Sequence, residues 1–585
     1  MSALVYGVAA LVAAIVCWQL AHRQWMPTGD CARTWLSVTD IGGPNTPLVG
    51  AHSRFENGWF HPGPAQQFYL WVFHTALGGR LQSSLVASLF AALAVGLALG
   101  LWLQRLIGAK RTAYFLATYA LFCWGLGDRL IDAWNPLLLL CPLVLLVVAC
   151  WALAMGSANA IPAVVGLASF VVQCHLGLLP VTLALSVTAL GSYAFARWRQ
   201  SPREPLAKPL LATLAVFLFF WALPLWEELT HSPGNMTLIW RYFLGAEPSA
   251  LPLAGWRMAA RVAAAHLLPW GPWLTERDTP WIFLVQEADN AWLLLPVCTL
   301  GLVAESSWER RDSSTFRLTL LLGAMLVASL FTLAQIRGPA YTYLALFTRV
   351  IVMFMLSVVA VSLFDPDPAR ASLAPARATL LRSGSIAGAC ILVCLTAATI
   401  PMTAGATARA YLQMAPAIQA ALPAGMRVRV RAVGPMLSAA QVESLAVIAK
   451  QVTEIDVPPE SSNASAAGTA ADEHAPLLLV ASGAEVMALK QAGQGRLVAA
   501  VDTLPAPARR AADKILAELL QQMHAAGQDS EFARLDNPRP DAQEGLPANV
   551  SRPLLLRYQA LAQVPNPIQL AVFFFQAPSA ASPAH

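Results

Sequence analysis

Between Asp30 and Tyr69 the chain reads DCARTWLSVTDIGGPNTPLVGAHSRFENGWFHPGPAQQFY, a polar, Gly/Pro-rich stretch set between two apolar segments. It carries Asp30 and Asp40, Arg33 and Arg54, His52 and His61. A carboxylate in such a loop can take a proton from a hydroxyl. Neighbouring arginines can hold a phosphate through paired N–H bonds, and a phosphate borne on a lipid would leave its tail among apolar helices. The stretch cannot lie in hydrocarbon unless protein covers its backbone polar groups.

The elements that position this loop are membrane spans. The 585 residues are 57% hydrophobic and only 12% charged, which excludes an ordinary soluble domain. Met1–Ala21 lacks a basic leader and a small-residue cleavage site, so it reads as a retained span and not a signal peptide. Apolar runs recur at Ser83–Leu103, Thr112–Leu126, Pro136–Met155, Ala160–Val172, Leu178–Phe195, Leu210–Leu225, Ala291–Ala304, Leu318–Leu333, Phe347–Phe364 and Gly384–Met402. The expectation is a polytopic α-helical membrane protein of about eleven spans.

Alternate threading puts Arg105/Lys110/Arg111, Arg197/Arg199/Arg203/Lys208, Arg310/Arg311/Arg317 and Arg370/Arg377/Arg382 on one side. That side is the cytoplasmic one by the Lys/Arg rule. The amino terminus is then inside, and residues 22–82, 227–290 and everything after Met402 face outward. Arg23, at the outer end of the first span, is the one local residue that argues the other way. The nine cysteines are dispersed, mostly within spans, and show no disulfide or metal-type spacing. No basic stripe for nucleic acid and no nucleotide motif is seen.

Other polar residues sit at span ends. Asp128 and Asp132 share a face if GLGDRLIDAWNP is helical there, either as a solvated turn or as a second acidic group. Gln173 and His175 lie in SFVVQCHLGLLP, where polar side chains face a bundle interior or a cavity. Arg337 and Arg349 flank the tenth span, either snorkelling to headgroups or holding phosphate. The second long outer loop, rich in Trp and Pro, reads as interfacial helices. Beyond residue 403 the runs MRVRVRAVG, PLLLVAS, RLVAAV and IQLAVFFF and an amphipathic segment Ala506–His524 read as a small soluble α/β or α+β domain, residues 404–585. Within it, SSNASAAGTAA near 460–474 reads as a disordered insertion, and the tail as disordered. Its expected role is structural or acceptor-positioning.

The early acid, DIGGPNTPLVGAHSRF, GWFHPGPAQQFYL, then WNP, QCHLGLLP and LPLWEELTHSPGNM, together resemble the GT-C superfamily of integral-membrane glycosyltransferases. The likeness is to bacterial polyprenyl-phosphate-sugar-dependent members related to arabinosyl- and mannosyltransferases, over roughly the first 400 residues. The resemblance implies a GT-C-like transmembrane domain, residues 1–403, that moves a sugar from a polyprenyl-phosphate donor to an acceptor hydroxyl. The acceptor would be a glycan, lipid or protein at the outer face of the inner (cytoplasmic) membrane. It places the catalytic base at an Asp of the first outer loop. Asp30 matches that position best and Asp40 is the second candidate, with Cys31 standing where the family often has an adjacent acid. Arg54, His61, His175, Arg337 and Arg349 are the candidates for donor-phosphate or substrate contacts. His61 is also read as fixing the HPGP turn. No cofactor is implied. The alternatives are a transporter or flippase of lipid-linked sugars, which would show repeated halves, and a lipid-linked oligosaccharide ligase or polymerase.

Overall fold

The structure is a computed structural model and describes residues 2–53, 59–199, 205–244, 252–272, 285–338, 340–365, 375–400, 406–422, 427–433, 438–456, 475–482, 495–502, 506–525 and 569–576, with a few single residues between. The chain forms two compact units. One is Met1–Arg23 with Leu48–Pro401; the other is Gln24–Pro47 with Met402–His585.

The first unit is helical. It contains α1 (Ser2–Ala21) and, beyond α2 (Asp30–Thr39) of the other unit, α3 (Ala65–Ala76), α4 (Ser83–Leu126), α5 (Asn135–Leu138), α6 (Leu140–Ala154), α7 (Ile161–Cys174), α8 (Leu179–Trp198) and α9 (Ala207–Thr230). Two short helices follow, α10 (Asn235–Phe243) and α11 (Gly255–His266). The unit ends with α12 (Leu294–Glu309), α13 (Ser313–Ala334), α14 (Thr348–Phe364) and α15 (Pro375–Thr399). Among the described residues, eight helical stretches are long and apolar enough to cross a membrane, and Ala158–Cys174 and Thr348–Phe364 are shorter apolar helices. The longest stretch is really two spans. Gly108 breaks α4 with φ 79° and ψ 167°, a left-handed backbone that a side chain would strain. Tyr119 Oη donates to Ala92 O at 2.7 Å, whereas a straight helix would hold residues so spaced about 40 Å apart. The halves therefore fold back on each other. The eleven expected spans are all present as helices.

Arg23 has partners at the end of the last span. Its guanidinium donates to Ile400 O at 3.1 Å and Ala398 O at 3.2 Å, capping the carbonyl end of α15 where a cation is favoured. The outgoing ends of the first and last spans thus lie together, as an odd number of crossings requires.

Turns from three of the cation-rich loops are tied together. Arg111 is 5% exposed and bonds Asp312 at 2.7 Å and Asp365 at 3.2 Å, while Lys110 reaches Asp365 at 2.8 Å. Asp312 also accepts from the Thr315 backbone at 3.1 Å, starting α13. The Lys/Arg pattern had assigned these turns to one side, and they meet. The short helices α10 and α11 expose Trp240, Phe243 and Trp256, as interfacial helices do.

The second unit joins α2 to α16 (Ala406–Ala421), β1 (Arg427–Val433), α17 (Ser438–Lys450), β2 (Glu454–Asp456), β3 (Leu477–Ser482), β4 (Arg496–Asp502), α18 (Ala506–Ala525) and β5 (Gln569–Phe575). The sheet order is β2-β1-β3-β5-β4. β1 pairs parallel with β2 and β3, and β5 runs antiparallel between β3 and β4. Alternation in RVRVRAV sends Val428 and Val430 inward, where Val430 sits beside Leu478, and Val480 beside Val572. All four anticipated strands form. The β1–α17–β2 unit makes the domain α/β. Arg54 and the SSNASAAGTAA segment lie outside the described residues.

The buried ion cluster makes a stability prediction. Arg111→Met leaves buried Asp312 without its counter-ion and Asp365 with Lys110 alone, and should cost about 3–5 kcal/mol, read as a lowered unfolding midpoint of the detergent-solubilised protein. Lys110→Met, at an exposed edge of the same cluster, should lower it less.

Candidate functional site

In the membrane unit, the landmark motifs are bound to each other. The loop after Leu48 doubles back so that Gly50 N donates to His61 O and His61 N to Ala51 O, both at 2.8 Å. Asn235, the first residue of α10, takes Phe60 as a strand would: Phe60 N donates to its Oδ1 at 2.7 Å and its Nδ2 donates to Phe60 O at 3.0 Å. The two glutamates of LPLWEELTHSPGNM hold that helix start, Glu227 accepting from Asn235 N at 2.9 Å and Glu228 from Met236 N at 2.8 Å. Gln173 is 1% exposed; it accepts from Ala65 N at 3.3 Å and donates to Phe220 O at 2.7 Å. Gly63 crosses this carboxamide so closely that a Cβ there would fall 2.3 Å from it. Asn135 of WNP donates to Cys174 O at 2.9 Å.

Three of the anticipated residues meet in this scaffold. The rings of His61 and His175 are 5.2 Å apart; His61 lies edge-on to Trp59 at 6.2 Å, and Trp59 contacts Tyr242 at 5.4 Å. The Arg337 guanidinium sits 5.5 Å over the Tyr242 ring, a cation–π contact. His61 is buried, and its Nδ1 accepts from Leu176 N at 3.3 Å, which places the proton of the neutral ring on Nε2. Burial, then the positive charge His175 and His52 would add, holds His61 well below the usual imidazole range.

Arg349 lies in a different place. It is 3% exposed, in the first turn of α14, and donates to Gly125 O at 3.2 Å, so it does not snorkel. Burial and the Arg349 charge push His266 down to about 3. The Gly127–Ile131 segment is a 3-10 turn that ends before Asp132, whose carboxylate accepts from Trp134 N at 2.9 Å. Asp128 and Asp132 therefore do not share an α-helical face, and Trp134 is buried against Tyr343 at 4.6 Å. An apolar groove of about 530 Å³ opens between α8, α11 and α13, lined by Pro180, Trp256, Val327 and Phe331.

The acids fall in the other unit, on α2. Asp30 is the exposed first residue of the helix, where its dipole favours negative charge. Asp40 caps the far end. Its carboxylate takes Lys450 Nζ at 2.8 Å, and its backbone oxygen accepts from Gly43 N at 3.1 Å in the GGPN turn. Burial raises Asp40, with Lys450 opposing. Between them, Arg33 Nε bonds Glu443 of α17 at 2.8 Å. Burial pushes Glu443 up to about 7; Arg33 opposes this and the charge of Asp30 adds to it. Glu443, Lys450, Tyr242 and Asn235 were not singled out in the sequence. Asn235 stands in LPLWEELTHSPGNM, but its role and those of the other three are not marked locally, because each acts on a residue more than a hundred positions away. Among the described residues, no three His, Cys, Asp or Glu side chains gather as a metal site would require.

These features define the class by its fold: a multi-pass helical membrane protein with a C-terminal α/β unit. The solved structures it is similar to are of ArnT from Cupriavidus metallidurans. The apo form is matched at TM-score 0.50 and 14% identity, over 85% of this chain and 97% of that one. The form bound to undecaprenyl phosphate is matched at TM-score 0.49 and 14% identity, over 84% and 96%. No protein-family model matches the chain, and no curated protein matches it.

The neutral His61 predicts a pH effect. The unfolded chain takes up a proton near an imidazole pKa of about 6.5, while the folded ring does not, so stability falls as pH drops below that value. Unfolding midpoints of the His61→Gln protein across pH 5–7.5 should fall less steeply than those of the wild type (about one imidazole's worth of proton linkage).

Proposed function

We propose that this protein is a glycosyltransferase that moves a sugar from a polyprenyl-phosphate donor to an acceptor hydroxyl at the outer face of the inner membrane. The observation that carries this reading is the fold likeness to ArnT, which extends along nearly the whole of that chain, and it agrees with the resemblance of the loop motifs to polyprenyl-phosphate-sugar-dependent glycosyltransferases. In this reading Asp30 is the general base. Its carboxylate is exposed at the head of α2, whereas the Asp40 carboxylate is engaged by Lys450 and suits orientation of the loop or acceptor. Arg337, Arg349 and Arg54 are the candidates for the donor phosphate, where a planar fork outperforms a point charge. His175, with the turn-fixing His61, borders the substrate. The apolar groove between α8, α11 and α13 suits an isoprenoid tail. The amino terminus is cytoplasmic and the carboxyl unit exported, in keeping with the cation asymmetry of the loops.

Cells lacking the protein should accumulate one polyprenyl-phosphate-linked sugar, identified by mass spectrometry of the lipid extract. With that extract as donor, Asp30→Asn should retain its fold and lose about a hundred- to ten-thousand-fold in turnover, and Asp40→Asn should lose less. No accumulating lipid-linked sugar would overturn the proposed activity, and full turnover by Asp30→Asn on an extract that does contain one would overturn the assignment of the base.

A further inference from the structure

Two ion pairs join α2 to α17 of the carboxyl unit: Arg33 with Glu443, and Asp40 with Lys450. Arg33 and Asp40 are seven residues apart, and so are Glu443 and Lys450, with the signs exchanged. Seven residues are close to two helical turns, which keeps both members of each helix on one face. The same offset of 410 residues separates the partners in both pairs, so the helices run parallel and in register.

The code is specific because its alternatives repel. A two-turn slip one way sets Arg33 against Lys450, and the other way it sets Asp40 against Glu443. An antiparallel packing would produce both clashes together. Apolar burial of Trp35, Leu36 and Val38 on α2 and of Leu445, Ala446 and Val447 on α17 supplies adhesion, but adhesion alone does not fix register. Like-charge juxtaposition against the wrong alignments is how paired helices fix it.

We propose that Glu443 and Lys450 are positioning residues of the transfer reaction: through Arg33 and Asp40 they hold α2 in one register and so aim the acidic residue at its head. This rests on the reading that α2 carries the general base. The carboxyl unit is then a working part of the enzyme. Asp30, Arg33 and Asp40 from α2 and Glu443 and Lys450 from α17 are the charged groups of this contact.

The test uses the full chain in nanodiscs, with the lipid extract of cells lacking the protein as donor. Glu443→Gln and Lys450→Met should each lower kcat about ten- to a hundredfold, the scale of small misplacement, with the apparent KM for the extract little changed. Hydrogen exchange of α2 amides should quicken in both. The exchanged pair R33E/E443R should restore kcat and exchange protection together, which a loss of bulk stability would not do. Lys450→Met breaks a pair whose side chains are 27% and 26% exposed, so it serves even where the Glu443 variant fails to fold. Unchanged kcat and exchange in both single variants, or a loss that the exchanged pair does not recover, overturns the inference while leaving the activity in place. Full turnover by Asp30→Asn with the exchange response intact instead overturns the base assignment.

Discussion

An irregular backbone set among apolar helices must find every hydrogen-bond partner within the protein, since hydrocarbon offers none and each unmet group costs several kcal/mol. The carboxamide of Asn235, which takes both polar groups of Phe60, is where that constraint is met for the first loop of the membrane unit. Gln173 does the same for the approach to α3 and for the Phe220 carbonyl inside α9, which Pro224 cannot serve. Remove the Asn235 side chain and the Phe60 peptide groups lose both of these partners. The aromatic and imidazole series from His175 to Arg337 rests on that turn, because Trp59 and His61 flank Phe60.

Charge is handled differently in different parts of the chain. Arg111 with Asp312 and Asp365 ties three turns of the membrane unit through a buried cluster. Arg23 neutralises the carbonyl end of α15. On α2, by contrast, the ion pairs are spaced along a helix face and carry register. Ion pairs, whether partly exposed or buried, add little net stability; what these contribute is the exclusion of other arrangements.

The spans were legible because long apolar runs have no other stable place, and the strands because RVRVRAV and LAVFFF show their period or their apolar continuity. Even the fold-back at Gly108 could be read from the cations around it. The partnerships inside the landmark motifs could not. Asn235 reads as one polar residue after a Gly, and its partner Phe60 is 175 positions earlier. The helix at 438–450 was missed because its charges are sparse and their meaning lies in a match to Arg33 and Asp40 across the whole membrane unit. For Asp128 and Asp132 the sequence left a turn and a shared helix face both open, because a 3-10 turn and a helix start alike in sequence and diverge within four residues. The anticipated acids, by contrast, lie on an element that the loop composition did mark, although as a loop and not as a helix.

The chain passes between its two units at Arg23, at Pro47 and at Pro401, and this sets an order of events during synthesis. Arg33 leaves the ribosome 410 residues before Glu443, an interval of roughly 20–80 s at about 5–20 residues per second. Throughout that time α2 has its apolar face uncovered and its two charges unmatched, while the spans that follow it are inserted one by one. Maturation therefore finishes from the end of the chain backwards: the last helix pairing to form involves one of the first helices made, and no protein truncated before residue 450 can complete it.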